Sequence, residues 1–285
     1  MKNEIKYIFK VCRVHNIEDL NIAKKNNVNM IGIHAVYFDR NAYLISEEKY
    51  KPIIKDYGSI NENIPVSTLE VNSIRAMQKY LTDEIKQVIL FQRETEITIM
   101  KKCCEIYGMK TDNIYIQLHH RTSKKYIENV KRNLCKNIIA VVGIFQEDFC
   151  EYFWQIHNSL NKDTDYILVD LSEHQSDLSV FDENTNKIKK IRELAKAMEG
   201  NIIPILIADD TDVKTMKKYL NELLKYNILI RGLDMQNAVE YAKINQCYTL
   251  NNKENITYQQ KKRKSEKLFY EWNNFFRIEN KKYFK

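Results

Sequence analysis

The sequence is poor in residues that break or cross-link a chain. It has 3 prolines and 6 glycines in 285 residues, which excludes collagen-like and low-complexity architectures. Its 6 cysteines form no CxxC pair, so neither a zinc finger nor a disulfide scaffold is predicted, and the thiols are expected to be reduced. No stretch approaches the roughly 18 apolar residues of a membrane span, and no signal-peptide-like apolar run follows Met1. We therefore expect a globular, cytoplasmic protein with no membrane partner.

The net charge of +7 is spread along the chain, since acidic residues share the same segments as the basic ones. The one compact basic run is Lys261 to Lys264, at the opening of a predicted C-terminal helix. A run of this length is more typical of a solvated face than of a nucleic-acid site. A nucleic-acid partner is therefore not predicted.

Short apolar runs alternate with stretches of helical period, which is typical of repeated βα units around a parallel sheet. The predicted strands are Tyr7 to Cys12, Val28 to Ala35, Gln87 to Phe91, Asn113 to Leu118, Asn137 to Gly143, Asp165 to Asp170, Ile202 to Ala208 and Tyr226 to Ile230. Eight βα units in a chain of this length predict an α/β protein with a (β/α)8 TIM barrel over residues 1–245.

Two segments exceed a minimal barrel. An insertion of about 38–84 follows the second strand and should hold a helix near Leu69 to Leu81. A C-terminal extension, 246–285, ends in a helix with an aromatic side. The residues of that side are Leu268, Phe269, Trp272, Phe275 and Phe276. They must be buried on the barrel or in a dimer contact, so both a monomer and a homodimer stay open.

The last positions of barrel strands usually carry the chemistry. Here they include Cys12 on the first predicted strand, Gln117 and His119 on the fourth, and Asp170 on the sixth. A thiol and a carboxyl group across one barrel mouth suit proton transfer, with the acid protonating a leaving ring oxygen and the thiolate removing a proton from carbon. Each also has a structural explanation, because cysteines are often buried and aspartates often cap helices.

Four segments resemble phosphoribosylanthranilate isomerase, in the same order along the chain. Residues 10–19 read Lys-Val-Cys-Arg-Val-His-Asn-Ile-Glu-Asp and resemble the opening strand and helix start of that family. Asn-Met-Ile-Gly-Ile at 29–33, Ile-Gln-Leu-His at 116–119 and Ile-Leu-Val-Asp at 167–170 are similar to its second, fourth and sixth strands. The resemblance extends from Lys10 to about Ala242, and its first motif is the most specific.

The resemblance implies an Amadori-type aldose-ketose isomerisation of an amino-sugar phosphate, without a cofactor. It places the general base on Cys12 and the general acid on Asp170. Residues predicted to contact the substrate are Arg13, Gln117, His119, Arg231 and Gly232.

Departures from the family leave the substrate open. Arg13 stands where the family has glycine, and the fifth strand lacks the arginine associated with the anthranilate carboxylate. The glycine-rich phosphate loops are reduced to Gly232, beside which Arg231 is the predicted phosphate ligand. In an alternative strand register, Cys247 to Leu250 would form the last strand and Ile202 to Ala208 an insertion.

Two other functions stay open from the residues alone. The first is a catalytically inactive barrel with a binding or regulatory role, since fold does not fix function. The second is a metal-dependent enzyme in which imidazoles at strand ends bind the metal together with Asp170. The candidate imidazoles are those of His34, His119, His120 and His174.

Overall fold

The computed structural model describes residues 7–34, 68–91, 94–171, 183–235, 239–248, 257–264 and 266–284. The strands in this part of the chain are β1 (Ile8–Cys12), β2 (Met30–His34), β3 (Lys86–Phe91), β4 (Ile114–Leu118), β5 (Asn137–Gly143), β6 (Tyr166–Asp170), β7 (Ile205–Ala208), β8 (Ile230–Met235), β9 (Glu240–Tyr248) and β10 (Thr257–Lys264). The helices are α1 (Ile17–Lys25), α2 (Thr68–Gln78), α3 (Ile97–Tyr107), α4 (Lys124–Asn133), α5 (Phe149–His157), α6 (Glu183–Ala197), α7 (Val213–Leu224) and α8 (Glu266–Tyr283).

Strands β1 to β8 form a closed parallel barrel, in which each strand pairs with the next and β8 pairs with β1. This confirms the predicted (β/α)8 fold. The prediction for the last strand was wrong. The predicted run is Tyr226 to Ile230, whereas β8 begins at Ile230. The alternative last strand is also wrong, since Cys247 and Tyr248 pair in a separate hairpin.

Side chains alternate between the two faces of the barrel wall, as they do on any strand. The inward apolar layer consists of Ile8, Met30, Val88, Tyr115, Ile139, Val141, Leu168 and Leu206. Outward residues such as Phe9 and Val11 join the larger core beneath the helices. On β1 this alternation directs Ile8, Lys10 and Cys12 into the barrel, in order from its amino end to its carboxyl end.

Polar side chains begin several of the helices. The Asn16 side chain accepts a hydrogen bond from the Asp19 amide at the start of α1, at 2.8 Å. The Asp212 side chain accepts one from the Thr215 amide at 2.7 Å and caps α7. Asp148 precedes α5 without a capping bond and instead pairs with Arg121.

The chain after β8 contains a hairpin that the sequence did not predict. Strands β9 and β10 pair antiparallel, so Lys261 to Lys264 lie in β10 instead of opening the helix, which begins at Glu266. This lysine-rich segment lacks an apolar helical period, and strand pairing satisfies its backbone groups.

The aromatic side of α8 packs on the barrel. The Phe276 ring lies 4.6 Å from the ring centroids of both Tyr7 and Phe9, and Phe269 and Trp272 are buried beside it. This side of the helix is therefore used within the chain and is not a free face for a second copy.

Some predicted features lie partly or wholly outside the described residues. Of the insertion 38–84, the structure describes 68–84, where α2 corresponds to the predicted helix. Residues 172–182, which contain the loop after β6 and His174, are outside it. None of the described helices is long and apolar enough to cross a membrane.

Candidate active site

The carboxyl ends of the strands bring several polar side chains to one mouth of the barrel. Cys12 ends β1, His34 ends β2 and Asp170 ends β6. The buried His34 ring lies in the electrostatic field of Lys10 and of His119 just after β4. His119 in turn approaches Asp170, with 3.7 Å between Nε2 and Oδ2. The predicted acid and base therefore belong to the same end of the barrel.

Cys12 is part of a buried cluster formed with Lys10 and Asp234. The Lys10 Nζ donates to Asp234 Oδ2 at 2.6 Å and to the Cys12 Sγ at 2.8 Å. The Cys12 thiol lies 3.4 Å from Asp234 Oδ1. Closure of the barrel creates this cluster, because Lys10 and Asp234 are opposite each other in the β1–β8 register. We call these three residues the Lys10–Cys12–Asp234 cluster.

The charges of the cluster determine its resting protonation. Burial would lower the pKa of Lys10, but Asp234 and Cys12 outweigh it, and the pKa is raised. Burial and the negative charge of Asp234 raise the pKa of Cys12 to about 12, against the opposing effect of Lys10. The resting cluster is therefore a Lys10–Asp234 ion pair beside a protonated thiol.

Gly32 on β2 provides the space that the cluster needs. A Cβ atom at this position would lie 2.7 Å from the Cys12 Sγ and 3.4 Å from the Lys10 Nζ. The first distance is shorter than any ordinary contact, so a larger residue at position 32 would displace the thiol.

Two of the buried side chains at this mouth present polar atoms that lack hydrogen-bond partners among the described residues. They are the Gln117 Oε1 on β4 and the His34 Nε2. Buried polar atoms are normally satisfied, so such atoms at a barrel mouth are available to a ligand. Burial, followed by the charges of His15 and Arg13, lowers the pKa of His34 well below its usual value, which keeps the ring neutral.

Arg13 directly follows Cys12 and has a left-handed backbone, with φ of 59°. Residues other than glycine seldom adopt this conformation, and when they do it is often at functional sites. Its Nε is buried and has no hydrogen-bond partner within the described ranges. The arginine thus keeps the backbone conformation that glycine favours while adding a cation at the mouth.

Arg231 and Gly232 lie elsewhere, and this corrects their predicted place in a phosphate loop. Arg231 is the second residue of β8 and lines a cavity at the amino end of the barrel. A Cβ on Gly232 would lie 2.0 Å from the Ile8 carbonyl oxygen, so this glycine permits close pairing of β8 with β1. Both were misassigned because the predicted strand ended before them.

The described residues contain no group of three or more His, Cys, Asp or Glu side chains placed to hold a metal ion. His120 is one candidate ligand that the structure does describe. Its ring packs edge-on against Tyr126 with 5.6 Å between centroids, and burial lowers its pKa. This is the environment of a half-buried histidine packed against a helix residue.

The candidate site also contains Lys10, Asp234 and His34. Sequence reasoning did not assign Lys10 or Asp234 to it. Lys10 interrupts an otherwise apolar strand, which is a usable signal because a charged residue rarely lies in a barrel interior without a partner. No local sequence pattern marks Asp234, because its contact with Cys12 forms only when β8 pairs with β1.

No protein-family model matches the sequence, and no curated protein matches it. The fold does have solved counterparts. The chain is similar to phosphoribosyl anthranilate isomerase from Thermococcus kodakaraensis. The two share 15% identity with a TM-score of 0.52, over 83% of this chain and 90% of the other.

Two further solved structures are more distant in shape. The dimeric phosphoribosylanthranilate isomerase of Thermotoga maritima, in a monomeric form, is 14% identical with a TM-score of 0.48, over 82% of this chain and 88% of the other. Dihydropteroate synthase from Thermus thermophilus is 9% identical with a TM-score of 0.43, over 81% of this chain and 88% of the other. At 15% identity, the likeness to the Thermococcus enzyme establishes the fold alone.

Proposed function

We propose that this chain is a phosphoribosylanthranilate isomerase-like enzyme that catalyses an Amadori-type aldose-ketose isomerisation of an amino-sugar phosphate. The observation that carries the proposal is that Cys12 and Asp170 lie at the same mouth of the barrel. Cys12 contacts the Lys10–Asp234 ion pair, and Asp170 lies beside the His119 imidazole. Motifs in the same order as in the family support it, as does the likeness of fold.

The acid step falls to Asp170. Its side chain is 13% exposed and lies beside His119, and in this proposal it delivers a proton to the ring oxygen of the sugar. Proton delivery opens the furanose ring and leaves a Schiff base. In this proposal Gln117 and His34 bind the substrate's hydroxyl groups through their unpartnered polar atoms, and Arg13 binds an anionic group.

The base step requires Cys12 to lose a proton that the resting cluster retains. Transfer of this proton to Asp234 generates a thiolate and a neutral carboxylic acid, while Lys10 stays positive. The net charge of the buried cluster does not change, so the large cost of adding a charge to the barrel interior is avoided. The thiolate then removes the proton from C2′ of the Schiff base to give the enolamine.

A turnover assay tests this proposal with phosphoribosylanthranilate and with other N-substituted 5-phosphoribosylamines. We expect Cys12→Ser and Asp170→Asn each to lower kcat by about 10²–10⁴-fold, the usual contribution of a positioned acid or base. Cys104→Ser is the matched control, since Cys104 is also buried with its pKa raised to about 12, but it lies on α3. Full activity of both site variants would refute the assignment.

An inactive binding barrel is the second candidate. It is favoured by the raised pKa of Cys12 and by the low exposure of this residue, 3%. Thermal stabilisation by a reduced, ring-opened phosphoribosylanthranilate analogue, without turnover of any amino-sugar phosphate, would support this alternative over the isomerase.

A further inference from the structure

A cavity of about 440 Å³ opens at the amino end of the barrel, opposite the candidate active site. Residues at the starts of β1, β3, β6 and β8 line it, together with the segments leading into other strands. Its volume falls within the range of small-molecule sites. The inward apolar layer, which includes Ile8, Met30 and Leu168, separates it from the Lys10–Cys12–Asp234 cluster.

The wall of this cavity contains Tyr166, Lys86 and Arg231, and the Tyr115 ring packs behind Tyr166. Tyr115 and Tyr166 lie with 5.6 Å between ring centroids. The Lys86 Nζ donates to the Tyr115 hydroxyl at 3.2 Å and lies 5.3 Å from the centre of its ring. Arg231 reaches the same place, where its positive charge acts on Tyr166.

A bulge in β8 gives Arg231 its position. The β7–β8 register passes from Ile205 opposite Ile230 to Leu206 opposite Gly232, so Arg231 is the extra residue. Bulges change the direction of a side chain, and they are common beside functional sites. The glycine that follows permits the tight approach of β8 to β1. The local backbone is thus shaped so that Arg231 lines the cavity.

The Arg231 guanidinium forms no hydrogen bond or ion pair with the described residues. The nearby buried carboxylate of Asp165 is already used, because it accepts from the Ile138 amide at 2.9 Å, from the Asn161 amide at 2.7 Å and from Lys131. Glu84 and Asp163 are exposed at the rim. A guanidinium fork that lines a cavity suits a planar or tetrahedral oxyanion.

From this geometry we propose a second ligand site at the amino end of the barrel, which binds a small organic anion through Arg231, with Lys86 and the rings of Tyr115 and Tyr166 beside it. The anionic group is a carboxylate or a phosphate monoester. The site is independent of the isomerase proposal, because it shares no residue with the carboxyl-end mouth.

Thermal stabilisation and calorimetry with benzoate and inorganic phosphate test the site on the full chain. We expect wild-type protein to bind at least one of them and Arg231→Gln to bind it at least about tenfold more weakly, since charged hydrogen bonds are lost. Arg231→Lys should retain part of the affinity, because it keeps the charge without the fork.

Arg132→Gln, on the exposed surface of α4 and outside both sites, is the control, and it should bind the same anion as the wild type does. If Arg13→Gln loses binding while Arg231→Gln retains it, the anion occupies the carboxyl-end mouth and the proposal is overturned. It is also overturned if neither anion binds the wild type. Comparison of the unliganded melting temperatures shows whether Arg231→Gln is folded, and Arg231→Lys provides the test if it is not.

Discussion

At the scale of single residues, the Lys10–Cys12–Asp234 cluster has one positive charge and one negative charge to distribute over three groups. Lys10 contacts both possible anions, at 2.6 Å and 2.8 Å. Which partner carries the negative charge therefore depends on the competition between a carboxylate and a thiolate for the same ammonium group. Removal of either competitor should change the titration of the other.

Asp234→Asn is expected to lower the pKa of Cys12 from about 12, because the carboxylate that opposes thiolate formation is gone while Lys10 remains. Ultraviolet absorbance of the thiolate as a function of pH measures the change, with the Cys12→Ser chain subtracted to remove the other thiols. Lys10→Met in the same assay should raise the pKa instead. An unchanged titration in Asp234→Asn would mean that Cys12 and Asp234 are not coupled.

Gly32→Ala should cost about 1–3 kcal/mol of unfolding free energy, because its Cβ would overlap the Cys12 sulfur. Gly143→Ala is the matched control on β5, where the nearest atoms lie at an ordinary 3.9 Å, and it should be nearly neutral. Urea unfolding of the two variants provides the comparison. Equal stabilities would show that the thiol has room to move away from β2.

At the scale of elements, α8 packs on the outside of the barrel and stabilises it. Its aromatic residues cover the outer face of β1, and the Lys217 ammonium on α7 pairs with Glu279 at 2.6 Å. The helix therefore contributes to the stability of the strand that carries Lys10 and Cys12, although it contains none of the site residues.

Phe276→Ala on α8 should destabilise the chain by about 3–5 kcal/mol, the usual cost of removing a large buried aromatic side chain. Ile278→Ala on the same helix should change stability by less than about 0.5 kcal/mol, because Ile278 is 70% exposed. Denaturant titration measures both. Similar values for the pair would indicate that the aromatic contacts with β1 do not form in solution.

Strands β1 to β7 were predictable because each is an apolar run between helical stretches. β8 was not, because its inward positions carry Gly232 and Asp234 in place of the apolar residues that mark the other strands. The β9–β10 hairpin was not predicted either, because β10 is rich in lysine and has no apolar run. Local pattern identified the strand-end residues Cys12 and Asp170, whereas the partners of Cys12 required the β1–β8 register.

At the scale of the whole molecule, stability should depend on pH through His34. Burial, His15 and Arg13 lower its pKa in the folded chain, while in the unfolded chain it titrates near 6.5. Above that pH both states leave the ring neutral. As the pH falls below it, only the unfolded chain binds the proton, so folding becomes less favourable.

We expect the unfolding free energy to fall between pH 7.5 and 5 with a contribution from His34 of up to about 1.4 kcal/mol per pH unit. His34→Gln should reduce the slope. Slopes from urea unfolding at several pH values are compared instead of absolute stabilities, because the substitution can also alter packing. Parallel slopes for the wild type and His34→Gln would contradict the assignment.

The packing of α8 on β1 also has a consequence for synthesis on the ribosome. β1 is made before α8, and its outer face, with Phe9, meets the rings of α8 only after the chain between them has been made. At usual translation rates this delay is on the order of tens of seconds. During that time we expect the nascent chain to expose an apolar strand without its covering helix, a state that is prone to aggregation.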